Sequence, residues 1–239
     1  GVALCNTPDV LTGATAEIAW ALLFAVARRI VEGDRMVREG RFHGWAPMML
    51  IGRDVAGATL GIVGAGRIGS AMARRARGFD MRILYTRRSG PCPDMDALGA
   101  RHVDLHQLLR ESDYISIHTP LTPQTRHMIG AEEFGLVRPG AILINTERGP
   151  VVDEKELVKA LASGRLAGAG LDVYEREPEV EPELLTMDNV VLAPHIGSAT
   201  FRARTDMAIL AADNILDFSA GRVPRTCINP GYVEFSSPP

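Results

Sequence analysis

The chain has 239 residues, 46% hydrophobic and 23% charged, a balance ordinary for a globular protein and long enough for one large domain or two modest ones. Its net charge of -3 gives no electrostatic pull toward nucleic acid or an anionic membrane, and its longest apolar run, Ile18 to Ala27, is too short to span a bilayer. No secretory signal pattern opens it, and its three cysteines, Cys5, Cys92 and Cys227, lie far apart without a CxxC pair, which points to a reducing cytoplasm and away from a zinc site or a disulfide framework.

In chain order, Thr12 or Thr15 is placed to cap a first helix that reaches Val31, with Ile18, Leu22, Val26 and Ile30 among its apolar residues. Gly40 to Gly57 reads as an irregular connection, and its Met48–Ile51 patch as core filler or a lid rather than an exposed arm. From Ala58 onward, short runs of Ile, Leu and Val alternate with helical patterns, the form of successive βαβ units. Strands are expected at 59–63, 82–85, 101–103, 114–118, 141–145, 168–173 and 190–192. Helices are expected at 68–78, 105–111, 131–136, 154–163 and 199–219. Asp153 is a fitting N-cap and Gly164 a fitting stop for the fourth of these. The expected fold is α/β, a doubly wound parallel Rossmann sheet.

Gly64-Ala65-Gly66-Arg67-Ile68-Gly69 follows the first strand and opens a helix, the context that a dinucleotide-binding turn requires. Gly64 permits the tight turn, Gly66 lets the backbone approach a pyrophosphate, and Gly69 lets helix and strand pack closely. The helix start offers unpaired N–H groups and the positive end of its dipole to the phosphates. Where NAD-preferring sites carry a carboxylate, the next strand runs into Thr86-Arg87-Arg88-Ser89. Hydroxyls and guanidiniums suit a ribose 2′-phosphate, so NADP(H) is the preferred cofactor, with NAD(H) as the alternative.

Three further segments fall at expected strand ends, where open α/β sheets bind ligands: Asn145–Pro150, Gly170–Pro178 and Ala193–Gly197. Reduction of a 2-keto acid needs a proton donor and a cation for the carboxylate. His195 suits the first role, Glu177 would hold its ring and favour the imidazolium, and Arg148 suits the second.

These segments, with Asn6–Thr12, the turn at Gly61–Gly69, His118–Thr125 and Pro194–Thr200, resemble the D-isomer-specific 2-hydroxyacid dehydrogenase family, in particular its glyoxylate/hydroxypyruvate reductase branch. The resemblance covers nearly the whole chain. It implies that Arg148 binds substrate, that Glu177 pairs with His195, and that His195 is the acid/base. It also implies that Asp172 contacts the nicotinamide carboxamide and that Thr119, Pro120 and Thr125 belong to a loop on the adenosine side. The backbone at Thr146 and Glu147 would lie along the nicotinamide ribose, with Gly197 near the ring.

Glu147 departs from the family pattern, which has a small residue before the arginine; its carboxylate is expected to point outward. Family members carry a flavodoxin-like substrate domain ahead of the stretch matching Asn6–Thr12. On that basis residues 12–198 are expected to form the cofactor domain, and 1–11 and 199–239 to be remnants of the substrate domain or elements docking on it. Such a chain would bind cofactor and turn over poorly. The partners implied are a small 2-keto or 2-hydroxy acid and a second copy of the chain, joined through the cofactor domain, with no nucleic acid or membrane. Another branch such as the phosphoglycerate dehydrogenases, which usually has an acidic residue near Thr86, and a non-catalytic cofactor-sensing module are the alternatives.

Overall fold

In the computed structural model, which describes residues 2–231, the apolar runs after residue 58 pair into a seven-stranded sheet. Its strands are β1 (Thr59–Val63), β2 (Arg82–Thr86), β3 (Arg101–His102), β4 (Tyr114–Ile117), β5 (Ala141–Asn145), β6 (Leu166–Leu171) and β7 (Val190–Leu192). The helices are α1 (Thr12–Ala27), α2 (Ile30–Arg38), α3 (Arg67–Ala76), α4 (Pro93–Asp96), α5 (Leu105–Glu111), α6 (Ala131–Leu136), α7 (Glu154–Ala162) and α8 (Phe201–Ser219). All six strand pairings are parallel, in the order β3-β2-β1-β4-β5-β6-β7. The expected doubly wound sheet is the one found, and its order reverses between β1 and β4, where such sheets open a ligand crevice.

The chain divides into two units. The larger, Thr15–Gly197, holds the sheet. β1, β4 and β5 are buried along their whole length, which is why they read as continuous apolar runs. Alternate side chains supply two cores: Leu60, Ile62, Ile142 and Ile144 join one with α1 and α3, and Val63, Leu143, Ile115 and Ile117 join the other with α5 and α7. Asp153 caps α7 through the N–H groups of Lys155 and Glu156, both at 3.1 Å, and Gly164 follows that helix at φ 72°.

Three expectations about this unit need correction. The first helix ends at Ala27, four residues early. The Arg53 N–H takes the Ala27 carbonyl at 2.8 Å, Arg29 turns left-handed at φ 52°, and the separate helix α2 begins at Ile30, which is exposed. The Met48–Ile51 patch is not core filler: Trp45, Met48 and Ile51 are exposed, because α1 and α3 already fill that face of the sheet. β6 runs from Leu166 to Leu171 and stops before Asp172, whose carboxylate is engaged by the chain beyond β7.

The smaller unit comprises, within the described residues, 2–14 and 198–231. Thr200 caps α8 through the Ala203 N–H at 3.1 Å, and Ala203, Leu210 and Asn214 are its buried residues. Cys5 faces Cys227 in an antiparallel bridge, so two cysteines that the sequence sets far apart are neighbours in space.

Candidate active site

Every expected site residue lies at or just beyond the carboxyl end of a strand in the larger unit. The glycine turn joins β1 to α3. Gly64 has φ 100°, and a methyl group on it would strike the His118 carbonyl and the Thr119 hydroxyl, so the turn rests against the end of β4. Gly69 is equally tight against the Gly64 carbonyl and Ile62, which seats α3 on the sheet. Gly66, by contrast, has open space where a side chain would stand, beside the exposed Arg67 and the half-buried Ile68 at the start of α3. That open cradle at a helix start fits a pyrophosphate.

At the end of β2, Thr86 is half-buried and Arg87 and Arg88 are exposed on a tight turn closed by the Gly90 N–H to the Arg87 carbonyl at 3.1 Å. Among the described residues, neither guanidinium forms a salt bridge. After β4, the Thr119 hydroxyl donates to the Val63 carbonyl at 3.2 Å and the Thr125 hydroxyl to the Pro120 carbonyl at 2.6 Å, so this loop is braced from within.

Buried polar atoms lie just beyond the ends of β4 and β5. Burial pushes His118 down to about 3, so its ring is neutral; one nitrogen meets the Ser116 hydroxyl at 2.8 Å and Nδ1 has no partner among the described residues. The Thr146 hydroxyl, on the adjoining strand end, is likewise buried without a partner. Polar atoms so placed fit a polar ligand laid across the switch point.

The loops after β5, β6 and β7 bring Arg148, Glu177 and His195 to one edge. His195 Nδ1 lies 2.8 Å from Glu177 Oε2, and the other Glu177 oxygen accepts the Tyr174 N–H at 3.1 Å. Desolvation raises the Glu177 carboxyl, but the hydrogen bond to His195, the Tyr174 N–H and the charges of His195 and Arg148 outweigh it and leave the group below its ordinary value. His195 has left-handed backbone at φ 54°, a conformation rare for a side-chain-bearing residue. Asp172 holds that turn: its two oxygens accept the N–H groups of Ile196 and Gly197, each at 2.7 Å. Burial pushes the Asp172 carboxyl up, and these two N–H groups oppose the shift.

Arg148 is set by residues to which the sequence assigned no role. Asn145 Nδ2 donates to the Arg148 carbonyl at 3.1 Å and Asn145 Oδ1 accepts the Glu147 N–H at 3.1 Å, so a buried strand-end amide shapes the loop. Gly149 packs directly on the Tyr174 backbone, with no room for a Cβ. Arg148 Nη1 donates to the Glu147 carbonyl at 2.6 Å. Glu147 does not point outward as expected: its side chain is 17% exposed, with Oε1 4.0 Å from Arg148 Nη1. Burial pushes its carboxyl up, against the pull of Arg148. Among the described residues, no group of side chains is arranged to hold a metal ion and no helix is long and apolar enough to cross a membrane.

The model of the D-isomer specific 2-hydroxyacid dehydrogenase NAD binding domain matches residues 20–197. A glyoxylate reductase of Thermococcus litoralis is 54% identical over 243 residues, covering 100% of this chain and 73% of the relative. A solved protein of Thermus thermophilus superposes with TM-score 0.90 at 46% identity, covering 95% of this chain and 72% of that one. A glyoxylate reductase from Paecilomyes thermophila gives TM-score 0.87 at 39% identity over 95% and 68% of the two chains. The chain therefore belongs to the D-isomer specific 2-hydroxyacid dehydrogenase family, as an oxidoreductase that binds a nicotinamide cofactor and acts on a small 2-hydroxy or 2-keto acid.

Proposed function

We propose that the protein is an NADPH-preferring reductase of a small 2-keto acid, with glyoxylate and hydroxypyruvate as its first candidate substrates and 2-ketogluconate next. The observation that carries this reading is the His195–Glu177 pair at 2.8 Å, within the field of Arg148. The glyoxylate reductases among its relatives support the substrate class.

Bound cofactor supplies the hydride. His195, fixed through Nδ1 by Glu177, presents its other nitrogen to the substrate carbonyl and gives it a proton. Arg148 binds the substrate carboxylate and polarises the carbonyl. Asp172 keeps His195 in place through the backbone beyond it, a positioning role alongside the nicotinamide contact that the resemblance implies. Gly64, Gly66, Arg67, Ile68 and Gly69 would hold the pyrophosphate. Thr119, Pro120 and Thr125 would line the adenosine side, and the backbone of Thr146, Glu147 and Gly197 the nicotinamide side. Thr86, Arg87 and Arg88 would take the 2′-phosphate, since no carboxylate stands there to repel it.

In this reading residues 12–198 are the cofactor domain, and the residues on either side serve a substrate domain in a cytoplasmic homodimer. The exposed Trp45, Met48 and Ile51 suit the surface between the two copies.

Steady-state assays with NADPH and a panel of 2-keto acids, on a form of the protein that carries the substrate domain expected from the family resemblance, test the assignment. Glyoxylate or hydroxypyruvate is expected among the turned-over acids, and His195→Ala is expected to lower kcat by about 100- to 10,000-fold while leaving cofactor affinity unchanged. No turnover of any 2-keto acid, or a fully active His195→Ala variant, would overturn it.

A further inference from the structure

We propose that Cys5 and Cys227 form a disulfide that staples the segment preceding α1 to the segment following α8. The two residues face each other in an antiparallel bridge. The Asn6 N–H donates to the Thr226 carbonyl at 3.4 Å and the Ile228 N–H to the Leu4 carbonyl at 2.8 Å. These bonds flank the cysteines instead of joining them, which makes the pair the non-hydrogen-bonded kind, with Cα atoms about 4.5 Å apart. That spacing falls within the range of about 4.4–6.8 Å that disulfides span. The Cys227 thiol donates to Asn229 Oδ1 at 3.4 Å, within the same register lock.

The register around them is locked. Asn229 Oδ1 accepts the Leu4 N–H at 2.7 Å, and Asn229 Nδ2 donates to the Val2 carbonyl at 2.9 Å. On the other side, the Thr226 hydroxyl donates to the Asn6 carbonyl at 2.6 Å and accepts from the buried Asn214 at 2.7 Å. A slip of one residue would break these contacts, so the cysteines stay opposed. Cys5 is exposed and open to a small oxidant, Cys227 is half-buried beside it, and Cys92 is buried elsewhere.

With a low-molecular-weight disulfide as oxidant, the Cys5 thiolate attacks one oxidant sulfur and expels its partner as a thiolate. The Cys227 thiolate then attacks the Cys5 sulfur of the mixed disulfide and expels the second. Two thiol protons are released, two electrons pass to the oxidant, one S–S bond is broken and one is made. Desolvation and the neighbouring Cys227 thiol push the Cys5 thiol up. In the reducing cytoplasm proposed above the pair rests as two thiols, and the staple closes only under oxidising conditions.

The test equilibrates the folded 239-residue chain with oxidised glutathione, blocks free thiols by alkylation, and maps peptides without reduction. The expected product is one Cys5–Cys227 cross-linked peptide with Cys92 alkylated, and an unfolding midpoint raised on the order of 5–10 °C that a reductant reverses. Cys5→Ser and Cys227→Ser should each abolish that gain and leave the remaining cysteine as a glutathione mixed disulfide. Separate mixed disulfides in the unsubstituted chain, or equal midpoints for oxidised and reduced protein, would overturn the proposal.

Discussion

Gly149 lies against the backbone of Tyr174 so closely that a methyl group on it would overlap the Tyr174 carbonyl. The contact joins the loop that carries Arg148 to the loop that carries Glu177, and the Tyr174 N–H in turn fixes Glu177 at 3.1 Å. Gly149→Ala is expected to force these loops apart. It should cost about 1–3 kcal/mol of stability and lower turnover far more than cofactor affinity. Thermal unfolding and cofactor titration on the same sample check this; unchanged kinetics would show that the contact does not position Arg148.

Glu177→Gln keeps the hydrogen-bonding shape beside His195 and removes the charge. Without a carboxylate to favour the imidazolium, the pH at which reduction falls off should move lower, with kcat reduced about 10- to 100-fold. Stability should change as well. The Glu177 carboxyl sits below its ordinary value of 4.5, so its pairing contributes above that pH and is lost as pH falls through the lowered value. The variant should therefore lose part of the acid limb of the stability profile. Identical pH–rate profiles would show that Glu177 does not tune His195.

Glu147 places a mostly buried carboxylate 4.0 Å from the guanidinium proposed to bind an anionic substrate. Glu147→Ser should free that guanidinium and lower the substrate KM several-fold, about 1 kcal/mol, with little change in kcat. It should also relieve a cost. Burial raises the Glu147 carboxyl, so the folded state is disfavoured at pH values above the raised value, and the penalty vanishes below the ordinary one. The variant should be at least as stable as the parent at neutral pH, as denaturant titration can measure. A higher KM would assign Glu147 a part in binding.

The sheet was legible because parallel strands buried on both faces must be written as unbroken apolar runs, and 59–63 and 141–145 were read to the residue. The glycine turn and the three strand-end segments were legible because few residue types can stand at such positions. The break between α1 and α2 was not. It rests on Arg29 in a conformation usually marked by Gly or Asn, and on a carbonyl taken by Arg53 from 26 residues away. The inward lie of Glu147 was hidden for a similar reason: a polar loop residue reveals its burial only when the surrounding loops are in place. Asn145, Gly149 and Tyr174 gave weak signals because they shape the site through backbone contacts. The apposition of Cys5 and Cys227 spans nearly the whole sequence, and no local pattern encodes it.

The central claim, an NADPH-preferring cofactor site, is tested most directly by equilibrium titration of the 239-residue chain with NADPH and with NADH under identical salt conditions. NADPH is expected to bind at least about tenfold more tightly, and Arg87→Ala with Arg88→Ala to remove most of that advantage. Tighter binding of NADH, or a preference that survives loss of both arginines, would contradict it.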